Sequence, residues 1–178
     1  MSSAAHNFFL MRYALLLLFT LPLVSCAGYK LGGAKPPSLV GVKTIAVPMF
    51  SNGTQEPRAE ALATTAVTDA LVIDGTYQIA DRNSADAVLE GSLSSIRYSK
   101  LRSSKLDSLL PEELTNEVSI SWTLRDARNP TKILASGTCS GNSNFFVDSN
   151  LQTARRNALP DALGRAGRSL VSTLSSGF

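Results

Sequence analysis

Residues 114–126, LTNEVSISWTLRD, alternate without a break. Val118, Ile120, Trp122 and Leu124 share one parity, and Glu117, Ser119, Ser121 and Thr123 share the other. A period of two sends successive side chains to opposite faces of a strand. The stretch therefore predicts a long strand with one apolar and one polar face. A sheet built around it needs cover on one side only, and the rest of the chain must supply that cover.

Two segments carry the helical period that could do so. From Pro57, Ala59, Leu62, Ala63, Ala66, Val67, Ala70 and Leu71 recur at i, i+3, i+4 and i+7, with Arg58, Glu60, Thr64, Thr65, Thr68 and Asp69 opposite. Proline suits a first helical position, because the missing N–H has no partner there in any helix. Asp74-Gly75 predicts the end. The second segment runs from about Asp148 to Leu174, with Leu151, Ala154, Ala158, Leu159, Ala162, Leu163, Ala166, Leu170 and Val171 on its apolar stripe. Pro160 predicts a kink there. Arg155, Arg156, Arg165 and Arg168 read as a solvated face off that stripe.

The remaining strands are less regular. Residues 42–50 (VKTIAVPMF) put Ile45, Val47 and Met49 on one face, with Pro48 expected near the strand end or on an edge, since it cannot donate to a ladder. Residues 77–80 and then 87–100 follow the first helix. Within 87–100, Leu89 and Leu93 have one parity and Ile96 and Tyr98 the other, which predicts a bulge near Ser94-Ser95. Residues 133–147, including Cys139, give a last strand after the turn at Arg128-Asn129-Pro130. The connection 101–113 is polar and long for a hairpin, and such loops are often functional. The order β-α-β-β-β-α, with two greasy helices and one half-covered sheet, predicts an α/β (α+β) two-layer sandwich. Two helices pack on one face of a four-stranded mixed sheet.

The N-terminus has a different character. Residues 13–24, YALLLLFTLPLV, follow Arg12 and end at Ser25-Cys26. The run is too short to span a bilayer, which takes about 20 apolar residues, and it has the flanks of a secretory signal. Met11 offers a second start site, since the signal is complete from there. Leu23-Val24-Ser25-Cys26 resembles the lipobox of bacterial lipoprotein signals. That resemblance implies cleavage after residue 25, a diacylglyceryl thioether on the Cys26 sulfur and acylation of its new amino group. Ala27 at the next position is not the aspartate that retains many lipoproteins at the inner membrane, which favours the outer one. The organisation expected is a signal over 1–25, a lipidated tether over 26–41 rich in Gly and Pro, and a domain over 42–178. Cys139 then has no intrachain partner, and a buried, inert thiol is expected.

Composition removes most catalytic classes. The single histidine, His6, lies in the leader, so no Ser-His-Asp, Cys-His or histidine-metal site can form in the mature chain. No serine has lysine three residues on, and no phosphate-cradling GxxxxGK[ST] loop occurs. The formal charge of +3, or +2 once Arg12 is removed, is too small for bulk nucleic-acid binding. No enzyme, metal or cofactor is expected beyond the lipid on Cys26. One cluster stands out: Arg97, Lys100, Arg102 and Lys105, interleaved with Leu101, Leu106, Leu109 and Leu110. It reads either as an exposed polar hairpin tip or as a clamp for the phosphates of an acylated amphiphile.

Taken together, the lipobox cysteine, Gly28-Tyr29, VKTIAVPMFSN, the proline-started helix and ADAVLEGSL resemble the LPS-assembly lipoproteins, the LptE family. The resemblance covers nearly the whole mature chain. Members usually read Cys-Gly-Tyr, and here Ala27 intervenes. It implies a lipid-anchored protein on the periplasmic face of the outer membrane that partners and partly plugs the β-barrel LptD, assists its assembly and binds lipopolysaccharide. Other lipoproteins with a similar opening strand, those of curli-type secretion and the activators of cell-wall synthases, are the competing classes. ADAVLEGSL fits the first family better.

Overall fold

The structure, a computed structural model, describes residues 35–101, 112–147 and 150–177. Its strands are β1 (Thr44–Ala46), β2 (Ser51–Asn52), β3 (Gln78–Ile79), β4 (Ala87–Lys100), β5 (Glu112–Asp126) and β6 (Ile133–Val147). Its helices are α1 (Ala59–Asp74) and α2 (Leu151–Ser176). The sheet order is β3-β1-β4-β5-β6, with β2 also paired to β4. β1 runs parallel to β3 and β4, and β2 parallel to β4, whereas β4, β5 and β6 form an antiparallel meander. The expected two-layer α+β sandwich is present, with six strands where four were expected.

The extra strands arise from two corrections. The segment 42–50 does not form one strand. It gives the short β1, and pairing resumes only at Ser51. Pro48 sits in the gap, where its missing N–H costs no ladder bond. The alternation fails with it: Ile45 is buried, Val47 is half-buried and Met49 is 65% exposed. Residues 77–80 contribute only the two-residue β3 at one edge.

The long strands follow the sequence closely. The register slips between Leu93 and Ser95, as the parity change requires, so Leu89, Leu93, Ile96 and Tyr98 all stay on the helix side. In β5, Val118, Ile120, Trp122 and Leu124 are buried together.

α1 starts two residues after Pro57 and ends at Gly75, whose φ of 71° closes the helix by donating its N–H to the Leu71 carbonyl. Leu62, expected on the buried stripe, is 41% exposed, because the stripe narrows to Ala59, Ala63, Val67, Ala70 and Leu71. α2 is capped by Asn150, whose side chain accepts from the Thr153 N–H, and runs through the exposed Pro160.

Small residues set how closely the helices approach. A Cβ on Gly141 would overlap backbone atoms of Ala162 and Ala166, so α2 lies directly on β6. A Cβ on Gly167 would stand 2.8 Å from the Ala66 carbonyl oxygen, which brings α2 against α1. Tyr77 reaches across to donate its hydroxyl to the Leu174 carbonyl at 2.7 Å. Residues 35–41, read as the end of a tether, pack on this core: Leu39 is fully buried in a short 3₁₀ turn, and Lys35 lies over the Tyr77 ring, 4.3 Å from its centre.

Candidate functional site

The three long strands have two distinct ends, separated by roughly 45 Å at the usual rise per strand residue. The chain enters the fold at one end, beside β1, the start of β4 and the C-terminus of α2. There the polar groups are matched. Asp86 accepts from the Lys43 and Thr44 N–H groups and from the Thr44 hydroxyl, each at 3.0 Å. Those backbone donors hold its carboxyl below the usual range. Asp126 accepts from the N–H groups of Arg128 and Asn129, and Arg125 pairs with Glu90 at 2.9 Å.

The opposite end, the tip, holds two of the four sequence-predicted cations. Arg97 and Lys100 are both exposed on the last four residues of β4. They are three residues apart in a strand, so they leave opposite faces of the sheet. Arg97 stands opposite Glu117 and lines a groove of about 540 Å³ with residues 53–56 and 94–98. Lys100 stands opposite Leu114. Arg102 and Lys105 lie outside the described residues, as does Cys26.

A second set of cations gathers at the tip, and the sequence reading did not find it. Tyr98, Asn116 and Ser143 form one row across β4, β5 and β6 beneath the first turns of α2. The Arg155 guanidinium lies over the Tyr98 ring, 4.5 Å from its centre, and Phe145 meets that ring edge-on at 6.2 Å. Burial raises the Tyr98 hydroxyl pKa, with the Glu56 charge adding to the effect and Arg155 opposing it. Ser143 donates to the Ala158 carbonyl at 2.8 Å. Asn116 is fully buried and neither its amide nitrogen nor its oxygen has a hydrogen-bond partner, and the Arg155 Nε is likewise buried without one.

Arg155 is thus not on a solvated face, and that expectation is corrected. Its position four residues after Leu151 and four before Leu159 puts it on the apolar stripe by spacing. The period carried the signal and the charge masked it. Arg156 does face solvent and sits 3.9 Å from Glu56.

Glu56 also borders a second groove, of about 530 Å³, with an apolar floor of Ala61, Leu62 and Leu159 and with Arg58 and Arg156 at its rim. Arg58 holds a left-handed backbone, φ 63°, which disfavours any side chain but glycine's. A third groove, of about 520 Å³, lies between the end of β6 and the start of α2. The tip therefore combines cations with apolar and amide-lined hollows. Cys139 is elsewhere, buried against α2 and donating to the Ile120 carbonyl, and burial pushes its thiol up to about 11. Among the described residues no three His, Cys, Asp or Glu side chains converge as a metal site, and no helix is long and apolar enough to cross a membrane.

Comparison with known proteins gives a consistent frame. A family model for lipopolysaccharide assembly, LptE, matches residues 42–174. No curated protein matches the sequence. Among solved structures, a minor lipoprotein from Acinetobacter baumannii aligns with a TM-score of 0.51 at 13% identity, over 76% of this chain and 92% of that one. Protein XCC0632 from Xanthomonas campestris aligns with a TM-score of 0.52 at 16% identity, over 82% and 91%. A putative neuraminyllactose-binding hemagglutinin homolog from Helicobacter pylori gives 0.52 at 11% identity, over 84% and 90%. At such identities these three likenesses speak to the fold alone.

Proposed function

The chain belongs to the LptE family of lipopolysaccharide-assembly lipoproteins, and from that premise we propose that it is the lipid-anchored partner and plug of the outer-membrane β-barrel LptD. It assists the barrel's assembly and binds lipopolysaccharide on its way to the outer leaflet. The family match over 42–174 carries this reading.

In this reading residues 1–25 are a signal peptide, and Cys26 bears the thioether-linked diacylglyceryl group and the N-acyl chain. Each buried methylene adds about 0.8 kcal/mol, so several chains hold the protein stably on the periplasmic face of the outer membrane. The domain from residue 42 then follows the anchor at its entry end and carries Arg97 and Lys100 at the tip, away from that end. Arg97 and Lys100, followed in sequence by Arg102 and Lys105, meet the phosphates of lipopolysaccharide. Because Arg97 and Lys100 leave opposite faces, they engage different phosphate groups rather than clamping one. The protein does no chemistry: its part is to bind and to position.

The test is a mild-detergent pull-down of the tagged full-length lipoprotein from its native envelope, read by mass spectrometry. One large outer-membrane β-barrel in near-equal amount is the expected result. A homo-oligomer or a cell-wall synthase in its place overturns the reading. For the tip, neutralising Arg97, Lys100, Arg102 and Lys105 together is expected to weaken lipopolysaccharide binding at least tenfold. Unchanged binding removes those four residues from the site.

A further inference from the structure

Among the described residues β6 is the outermost strand on the long side of the sheet and pairs only with β5 along Ile133–Val147. Half of its backbone N–H and C=O groups point away from β5. Natural proteins blunt such an edge with charge, proline, a bulge or a very short strand. The other edge of this sheet, β3, is two residues long. β6 has one of these devices, a bulge at Leu134 beside its first residue, and none from Ala135 onward. Its fifteen residues, ILASGTCSGNSNFFV, include no charged side chain and no proline. From Ala135 to Val147 its register with β5 is unbroken. β5, inside the sheet, carries Glu117 and Arg125, and β4, which beyond Leu93 has a strand on one side only among the described residues, carries Glu90, Arg97 and Lys100.

The neighbourhood of this edge is shaped as well as bare. α2 covers the inner face of β6, through Gly141 and the Ser143 bond, and every alternate residue from Ser136 to Asn144 is exposed. At the tip, β6 and α2 diverge and leave the groove of about 520 Å³. One wall is the consecutive stretch 143–146 of β6. The other is a single stripe of α2 that includes Thr153, Asn157 and Asp161. Asp161 is already paired with Arg165 at 3.1 Å, so the groove is electrically quiet. Phe146, 61% exposed, stands at its mouth.

A strand edge facing a helix stripe across a groove is the geometry by which an extended peptide adds to a sheet. The ligand that repeats donors and acceptors with the strand period over such a length is another polypeptide strand. Walls whose one charge, Asp161, is already paired favour an uncharged segment with an apolar side chain to set against Phe145 and Phe146.

We propose that the β6 edge is a docking site for an extended, uncharged segment of a protein partner, which joins the sheet as a further strand and seats one apolar side chain in the β6–α2 groove. Resting on the function proposed above, the occupant is a segment of the outer-membrane barrel partner.

The test is amide hydrogen exchange on the full-length lipoprotein, alone and in the complex recovered from its envelope. Alternate amides of β6 between residues 135 and 146 are expected to slow at least tenfold in the complex, while amides of α1 change little. An Asn142→Lys variant, which places a charge on the edge without touching the core, is expected to lower recovery of the partner at least fivefold. If the barrel is recovered but the β6 amides exchange as in the free protein, the inference is overturned and the function stands. If β6 is protected by a different protein, the edge site stands and the proposed function falls. Protection that grows only with this protein's own concentration means a second copy occupies the edge, and overturns the inference. So does unchanged exchange in every complex recovered.

Discussion

The same three strands end in two different ways. At the entry end, carboxylates and backbone donors are paired off one against another: Asp86 takes three donors from Lys43 and Thr44, and Asp126 organises the turn into β6. At the tip, a fully buried amide and a buried guanidinium nitrogen lack partners, an arginine has a left-handed backbone, and three grooves open side by side. An unsatisfied buried polar group costs about 1–3 kcal/mol, so the tip carries a cost that the entry end does not. Folding alone gives no reason to keep it. The contrast places the matched polar groups at the entry end and the unmatched ones at the tip, the end that the function proposed above sets against other molecules.

The largest expected effect breaks both ends together. Gly141→Val forces a side chain against the backbone of α2, which cannot yield as a flexible side chain would. A loss of about 3 kcal/mol or more is expected from overpacking of this kind, read from the urea midpoint. If stability holds, α2 is not seated on β6 as described.

Asp86→Ala tests the entry end alone. Losing a carboxylate that accepts from three donors is expected to cost about 1–2 kcal/mol at neutral pH. The pH dependence follows in sign. Asp86 has a depressed pKa when folded, so its contribution is full above the unfolded value near 3.8 and disappears as pH falls through the folded one. Unfolding measured at pH 6 and pH 3 is expected to separate wild type from variant at the higher pH and to narrow the gap at the lower.

Asn116→Val tests the tip, with the opposite sign. Removing a buried amide that has no partner is expected to raise stability by about 1 kcal/mol. A drop in melting temperature instead shows that the amide is satisfied, and the contrast between the ends disappears. The smallest effect concerns Cys139. Its thiol, pushed up to about 11 by burial, is expected to resist alkylation at pH 8 in the folded protein and to react at once in denaturant. Rapid labelling of the folded chain would place Cys139 outside the core.

Much of the fold was legible because its strongest elements are periodic over many residues. β5 has thirteen consecutive pairs to β4 and its inward parity never changes, while the bulge in β4 appears in the sequence as Leu93 yielding to Ile96. The short parallel strands were not legible. Two or three residues carry no period, and Pro48 interrupts what looked like one strand. The tip was legible only in part. Arg97 and Lys100 stand at the end of β4 as expected, yet strand geometry separates them to opposite faces. Arg155 was misread because a long cation on an apolar stripe can lay its stem and guanidinium over an aromatic ring, and composition does not show which ring is there.

The sequence by itself determined the alternation of β4 and β5, the two helical stripes, the Gly75 stop and the absence of histidine chemistry in the domain. These depend on residues close together in the chain, where period and capping act. The tertiary structure alone decided which strand became the bare edge, that Gly141 and Gly167 are the points of closest approach, and that Tyr98, Asn116 and Ser143 form one row beneath Arg155. Those outcomes depend on pairings between residues distant in the chain, and no local propensity encodes which residues become neighbours.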